Sequence, residues 1–245
     1  ESTTGTGDAS GAATAAAGEF PISASGDLHL YNWTDYIDPA LLERFTAETG
    51  INVILDTFDS NETLLAKLQA GATGYDVIVP SDYMVAQMIE LGMLQKVDVA
   101  SFPNGKNIAP EFMDVYFDSG RQYTAPYMYG TTGIACNTKL EPKCADIKSW
   151  KDLFTGGYGK VNMLKDQVEV VSAALRATGV GPADLCTTDK AKYAAAQELL
   201  SSFKPDVIDS DGGNERMITG ASYIRQGWNG DTHRAIMENP DVTFI

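Results

Sequence analysis

The sequence predicts an α/β fold with a mostly parallel sheet, and three observations carry that prediction. Short runs rich in branched or apolar residues alternate with stretches whose apolar residues recur at helical spacing. Capping residues and glycines bracket the helical stretches. Val77-Ile78-Val79 is apolar without interruption, the kind of strand a parallel sheet buries on both faces. At 245 residues the chain can bury a sizeable core in one large domain or two modest ones.

Each element follows from its residues. The opening stretch ESTTGTGDASGAATAAAG is low-complexity Ser, Thr, Gly and Ala without an apolar face, so residues 1–26 are expected to be a flexible tether. It lacks the layout of an intact signal peptide and reads as what remains when an export or lipid-anchor segment is removed, or else as a cloning remnant. Leu28-His29-Leu30-Tyr31 alternates into a strand, and Asn32-Trp33-Thr34-Asp35-Tyr36 reads as a polar, aromatic loop. Asp38-Pro39 opens a helix with Leu41, Leu42 and Phe45 as its stripe, and Gly50 closes it. Ile51 to Leu55 is the next strand. Asn61 is the expected cap of a helix bearing Leu64, Leu65 and Leu68, which Gly71 stops. The Val77–Val79 strand leads through Pro80-Ser81-Asp82-Tyr83, with Ser81 as cap, into a helix carrying Val85, Met88 and Ile89.

A second set begins near Tyr123, and the Pro/Tyr/Gly-rich stretch 123–130 is the natural seam. Thr131 to Cys136 reads as a strand and Ser149-Trp150 as the start of a short helix. Val161-Asn162-Met163 precedes a helix from Asp166 to Thr178, and Asp189 starts a longer one through Tyr193, Ala196, Leu199, Leu200 and Phe203. Ser222 to Trp228 is a strand, Asp231 to Glu238 a helix capped by Asp231, and Val242 to Ile245 a final strand. Two sets meeting at the seam leave a cleft, and ligands of open α/β sheets bind beyond the strand ends.

Composition narrows the function. Apolar residues make up 44% and charged ones 21%, ordinary for a soluble globular protein, and no apolar run is long enough to cross a bilayer. A net charge of −15 disfavours nucleic acid and anionic lipid and suits cationic ligands. Cys136, Cys144 and Cys186 have no metal-ligand spacing, and His29 and His233 are too few for a zinc site, so no metal or cofactor is expected. One disulfide with a free thiol fits the three cysteines as well as three thiols do. Cys136 inside a strand reads as a buried small hydrophobe rather than a nucleophile. No nucleophile elbow, Walker loop or dinucleotide fingerprint is present.

The residues that suggest a site all follow expected strands: Trp33, Asp35 and Tyr36; Ser81 and Tyr83; Asp166 and Glu169; Trp228 and Asp231. Aromatic faces attract alkylammonium groups and pack methylene chains, and carboxylates accept charge-assisted hydrogen bonds from the same ammonium. Rings between acids suit a molecule cationic at its ends and apolar between them. Plainer readings stand beside this one. Trp33 and Tyr36 read equally as core aromatics, and Asp166 with Glu169 has the spacing of a capping box that needs no ligand.

Three segments carry a family resemblance: Leu30-Tyr31-Asn32-Trp33-Thr34-Asp35-Tyr36-Ile37, Gly74-Tyr75-Asp76-Val77-Ile78-Val79-Pro80-Ser81-Asp82-Tyr83, and Gly227-Trp228-Asn229-Gly230-Asp231. Together they resemble the periplasmic spermidine/putrescine-binding proteins of ABC transporters, from about Asp27 to the last residue. The resemblance implies a two-lobed, type II periplasmic-binding-protein-like fold, with lobes over residues 27–125 and 126–245 closing on a polyamine. Carried over, Trp33, Tyr36, Tyr83 and Trp228 would wall the ligand, Asp35, Asp166, Glu169 and Asp231 would bind its ammonium groups, and Thr34 and Ser81 would add polar contacts. It implies putrescine or spermidine as ligand, a membrane ABC permease as partner, and a monomer at the periplasmic or outer face, with a lipid anchor through a removed N-terminal segment. Family chains continue past the equivalent of Ile245 and return to the first lobe. The resemblance therefore implies a missing C-terminal portion, a weakened site and a tendency to associate. An enzyme acting on a small cationic substrate, or a polyamine-sensing receptor subunit, is the alternative.

Overall fold

The computed structural model describes residues 26–245; the tether expected over residues 1–26 lies outside them apart from Gly26. Its first part runs β1 (Asp27–Trp33), α1 (Pro39–Thr49), β2 (Asn52–Phe58), α2 (Asn61–Gln69), β3 (Val77–Ile78) and α3 (Asp82–Glu90). The strands form a parallel sheet in the order β2-β1-β3. Three short 3₁₀ turns and a small hairpin of β4 (Asp114–Val115) and β5 (Asp118–Ser119) follow. Asp118 secures that hairpin by accepting from the backbone amides of Gln122, Tyr123 and Thr124.

The second part contains β6 (Thr132–Asn137), α4 (Trp150–Thr155), β7 (Val161–Met163), α5 (Gln167–Ala177), α6 (Lys190–Ser202), β8 (Val207–Ile208), α7 (Gly213–Thr219), β9 (Ile224–Trp228), α8 (Asn229–Glu238) and β10 (Val242–Phe244). Its sheet has the order β10-β6-β9-β7-β8 and is mixed. β7 runs parallel to β8 and β9, whereas β6 is antiparallel to both β9 and β10. The expectation of a mostly parallel sheet holds for the first sheet and needs this correction for the second. The cause is long-range pairing, which local patterns do not encode.

Packing follows the strand alternation. On β6, Ile134 and Cys136 enter a core with Leu153, Met163, Ala174, Leu175 and Ala196 from α4, β7, α5 and α6. Ala135 points the other way, to Met217 of α7, Ala235 of α8 and Val242 of β10. Both faces of the second sheet are therefore covered. The first sheet has one such core, of Tyr31, Phe58, Leu64, Met84 and Met88. On α1 no residue is buried, Leu41 is 54% exposed, and Ile54 and Val77 of the strands are also exposed. Val77 thus does not have the two-sided burial its apolar run suggests, although its register partner Leu30 is buried.

Several local expectations hold. Asp38 accepts from the Ala40 amide, Pro39 takes the first helical position, and Gly50 ends α1 at φ +75°, a left-handed conformation that costs glycine least. Ser149 and Asp189 cap α4 and α6. Others are corrected. β1 continues through Asn32 and Trp33, which the sequence pattern places in the loop. Ser60, not Asn61, caps α2, and Asp231 lies inside the first turn of α8 rather than at its cap. Ser81 occupies the cap position of α3, but its hydroxyl makes no capping bond. Cys136 and Cys144 form a disulfide, and Cys186 is an exposed free thiol.

Candidate functional site between the sheets

β1 delivers the first group of site residues. The Trp33 indole donates to the Val79 carbonyl at 2.9 Å and packs on Phe58 at 4.6 Å, which fixes the ring at the end of the sheet. The chain then turns through Asp35 at φ +55°, a left-handed conformation that aspartate tolerates better than most residues. Past this turn, Tyr36 meets the Tyr127 ring edge-on at 5.5 Å, and the Tyr127 hydroxyl donates to the Tyr36 carbonyl at 2.6 Å. Tyr127 belongs to the seam, so the joining segment is bonded directly to a site loop. Thr34 reaches across to Asp211 with an Oγ1–Oδ2 distance of 3.3 Å. Asp35 is exposed and, among the described residues, has no hydrogen-bond or ion-pair partner.

The ends of β2 and β3 are organised by Asn61, a fully buried polar residue. Its Nδ2 donates to Ser81 Oγ at 3.0 Å and to the Tyr83 hydroxyl at 2.9 Å, while its Oδ1 accepts from the Ser81 amide. Buried amides need such partners, and this one sets two site residues at once. The Tyr83 hydroxyl lies 3.4 Å from Glu62 Oε1. Burial, then the nearby charges of Asp166 and Glu62, push the Tyr83 phenol well above its usual range, so it stays protonated.

The second sheet supplies the main acids. Asp166 is buried and caps α5, accepting from the Glu169 amide at 3.0 Å. The reciprocal arm of a capping box is replaced. The Glu169 carboxylate faces the Trp228 indole, 3.4 Å away, and Gln226 donates to the Glu169 carbonyl. Burial raises both acids above the ordinary carboxylate range. For Asp166 the Glu169 amide opposes the rise and Glu62 adds to it; for Glu169 the Asp166 charge adds to it. Trp33 and Trp228, from different sheets, lie 5.8 Å apart at 69°.

The cleft acids fall into two groups. Asp59 is paired with Lys165, and Asp231 with Arg225 and Arg234. Glu62, Asp82, Asp166 and Glu169 have no ion pair among the described residues. The arrangement offers negative charge beside aromatic faces without an internal cation, and an alkylammonium ligand would supply one. The geometry brings Trp33, Tyr83, Asp166, Glu169 and Trp228 together. Tyr36 and Asp231 lie at the Tyr127 end, close enough for the Asp231 charge to help hold the Tyr36 phenol above its usual range, after burial and Tyr127. Glu62 and Asp211 were missed by sequence reasoning. Glu62 was legible as the acid beside a capping residue, but nothing local ties Asp211 to Thr34.

Residues 40–245 match the family of bacterial extracellular solute-binding proteins. The chain belongs to that family. Among its relatives, the spermidine/putrescine-binding periplasmic protein of Salmonella typhimurium is 40% identical over 85% of this chain and 60% of its own length. The putrescine-binding periplasmic protein SpuD of Pseudomonas aeruginosa is 38% identical, with the same coverage of both. A crystal structure of the TpPotD lipoprotein of Treponema pallidum superposes with a TM-score of 0.76 at 30% identity, over 89% of this chain and 69% of that one. The fold is thus that of the periplasmic binding proteins, and the chain spans about 60% of the length of these curated relatives.

Proposed function

We propose that this chain forms the ligand-capturing part of an exported binding protein for putrescine or spermidine, which passes its ligand to a membrane ABC permease. The observation that carries the reading is the group of acids without internal cations, Glu62, Asp82, Asp166 and Glu169, beside Trp33, Tyr83 and Trp228. A diamine matches it: ammonium groups take charge-assisted bonds from carboxylates while methylenes lie along indole faces. The names of the relatives support the same ligand class and a periplasmic setting. In this reading residues 27–125 and 126–245 are the two lobes. Trp33, Tyr36, Tyr83 and Trp228 wall the chain of the ligand. Asp35, Asp166 and Glu169 face its cationic groups, Thr34 and Ser81 contribute polar contacts, and Asp231 stands at the Tyr36 end paired with Arg225 and Arg234. The protein acts by binding and release rather than by chemistry.

Calorimetry on a chain extended to the length of its relatives tests this, against putrescine, spermidine, arginine and glycine betaine. Binding heat with a polyamine that is recovered unchanged is the expected result. Heat with arginine or glycine betaine and none with either polyamine would overturn the ligand assignment.

A further inference from the structure

Asp231 enters the cleft already held by two arginines. Asp231 lies in the first turn of α8, and each carboxylate oxygen faces a guanidinium. Oδ1 accepts from Arg234 Nη2 at 2.8 Å, and Oδ2 lies 3.5 Å from Arg225 Nη2.

The two arginines differ in freedom. Arg225, on β9, is 1% exposed; its Nη1 donates to Asn214 at 2.6 Å and its Nη2 to the Ser210 carbonyl at 2.9 Å. The Gly213 backbone lies against that guanidinium, where a Cβ would come within 2.1 Å of Nε. Arg225 is part of the framework. Arg234 has a side chain 46% exposed, and Asp231 is its one hydrogen-bond partner among the described residues. One carboxylate facing two guanidiniums has its charge compensated within the protein, and the exposed Arg234 adds positive charge at this end. A cation arriving at this end of the cleft meets the Arg234 charge, whereas Glu62, Asp166 and Glu169 have no ion pair among the described residues.

We propose that Arg234 is a specificity-determining residue: by occupying Asp231 it withholds that carboxylate, so the cleft favours a cationic group at the Glu62–Asp166–Glu169 end and disfavours a further one at the Asp231 end. The proposal rests on the polyamine reading above. Arg234 acts through Asp231 and through its own charge, without needing to touch the ligand. Charges a few ångströms apart near a protein surface interact strongly enough to shift affinity by about tenfold.

The test compares wild type, Arg234→Gln and Arg234→Lys, in the chain extended to the length of its relatives, by calorimetry with putrescine and spermidine. Arg234→Gln is expected to bind spermidine about tenfold more tightly, with a smaller gain for putrescine, because the trication has one more charge to place. Arg234→Lys keeps the charge and is expected to stay near wild type for both. If wild type binds polyamine and Arg234→Gln binds both ligands no better, the role assigned to Arg234 is wrong while the polyamine reading stands. If none of the three chains binds either polyamine, the ligand reading fails, and this inference fails with it.

Discussion

Asp166 serves as a helix cap and as a buried anion, and two substitutions separate those roles. Asparagine caps as well as aspartate, so Asp166→Asn keeps the bond to the Glu169 amide and removes only the charge. Asp166→Ala loses both, at about 1 kcal/mol for the cap. Without ligand, Asp166→Asn is therefore expected to melt at or above the wild-type temperature and Asp166→Ala below it, while both bind polyamine poorly. An Asp166→Asn variant with undiminished affinity would reduce the residue to a cap. The pH dependence has a definite sign. Asp166 and Glu169 are both raised by burial, so the folded protein keeps protons that the unfolded chain has released. Their contribution to stability is fully present below the ordinary carboxylate range and is lost as pH rises through their raised values. The ligand-free wild type should lose melting temperature across that window relative to Asp166→Asn, as paired melts would show. For Trp228, a desolvated cation–π contact is worth about 2 kcal/mol, so Trp228→Ala should weaken binding tenfold or more in calorimetry.

The elements that sequence patterns reached are those whose signals are local. Asp38-Pro39, Ser149, Asp166 and Asp189 mark helix starts through bonds that span two or three residues, so their chemistry is visible in a short window. The candidate site residues were legible in the same way, as aromatics and acids at or just beyond strand ends. Failures came where neighbours compete or where partners are distant. Ser60 and Asn61 are both good caps, and only the fold shows Ser60 taking that role while Asn61 turns inward to Ser81 and Tyr83. The antiparallel setting of β6 and the guanidiniums around Asp231 depend on pairing across many residues. The α7–β9 contact gives a further check. Gly213 leaves room for the Arg225 guanidinium, which is buried and bonded on two sides. Gly213→Ala must displace it and is expected to cost about 1–3 kcal/mol, read as a lower denaturation midpoint.

At the scale of the molecule, the first sheet is incompletely covered. Leu41, Phe45, Ile54 and Val77 are exposed on α1, β2 and β3, and apolar surface of this kind promotes association. The 245-residue chain is expected to elute above its monomer mass in sizing chromatography with light scattering, and Ile54→Lys to shift it toward monomer. A sharp monomer peak from the unmodified chain would show that this surface is tolerated alone. The two sheets also meet through Lys165 with Asp59, Thr34 with Asp211, and Trp33 with Trp228. The last contact has an optical consequence. Indole rings 5.8 Å apart and inclined at 69° couple their electronic transitions, and that coupling falls steeply with separation. Trp150 packs instead at the α4 side of the second core, so it contributes a steady background. Near-ultraviolet circular dichroism should therefore carry a paired-tryptophan band that fades when the sheets part, giving the protein a built-in spectroscopic gauge of how closed it is without any attached dye.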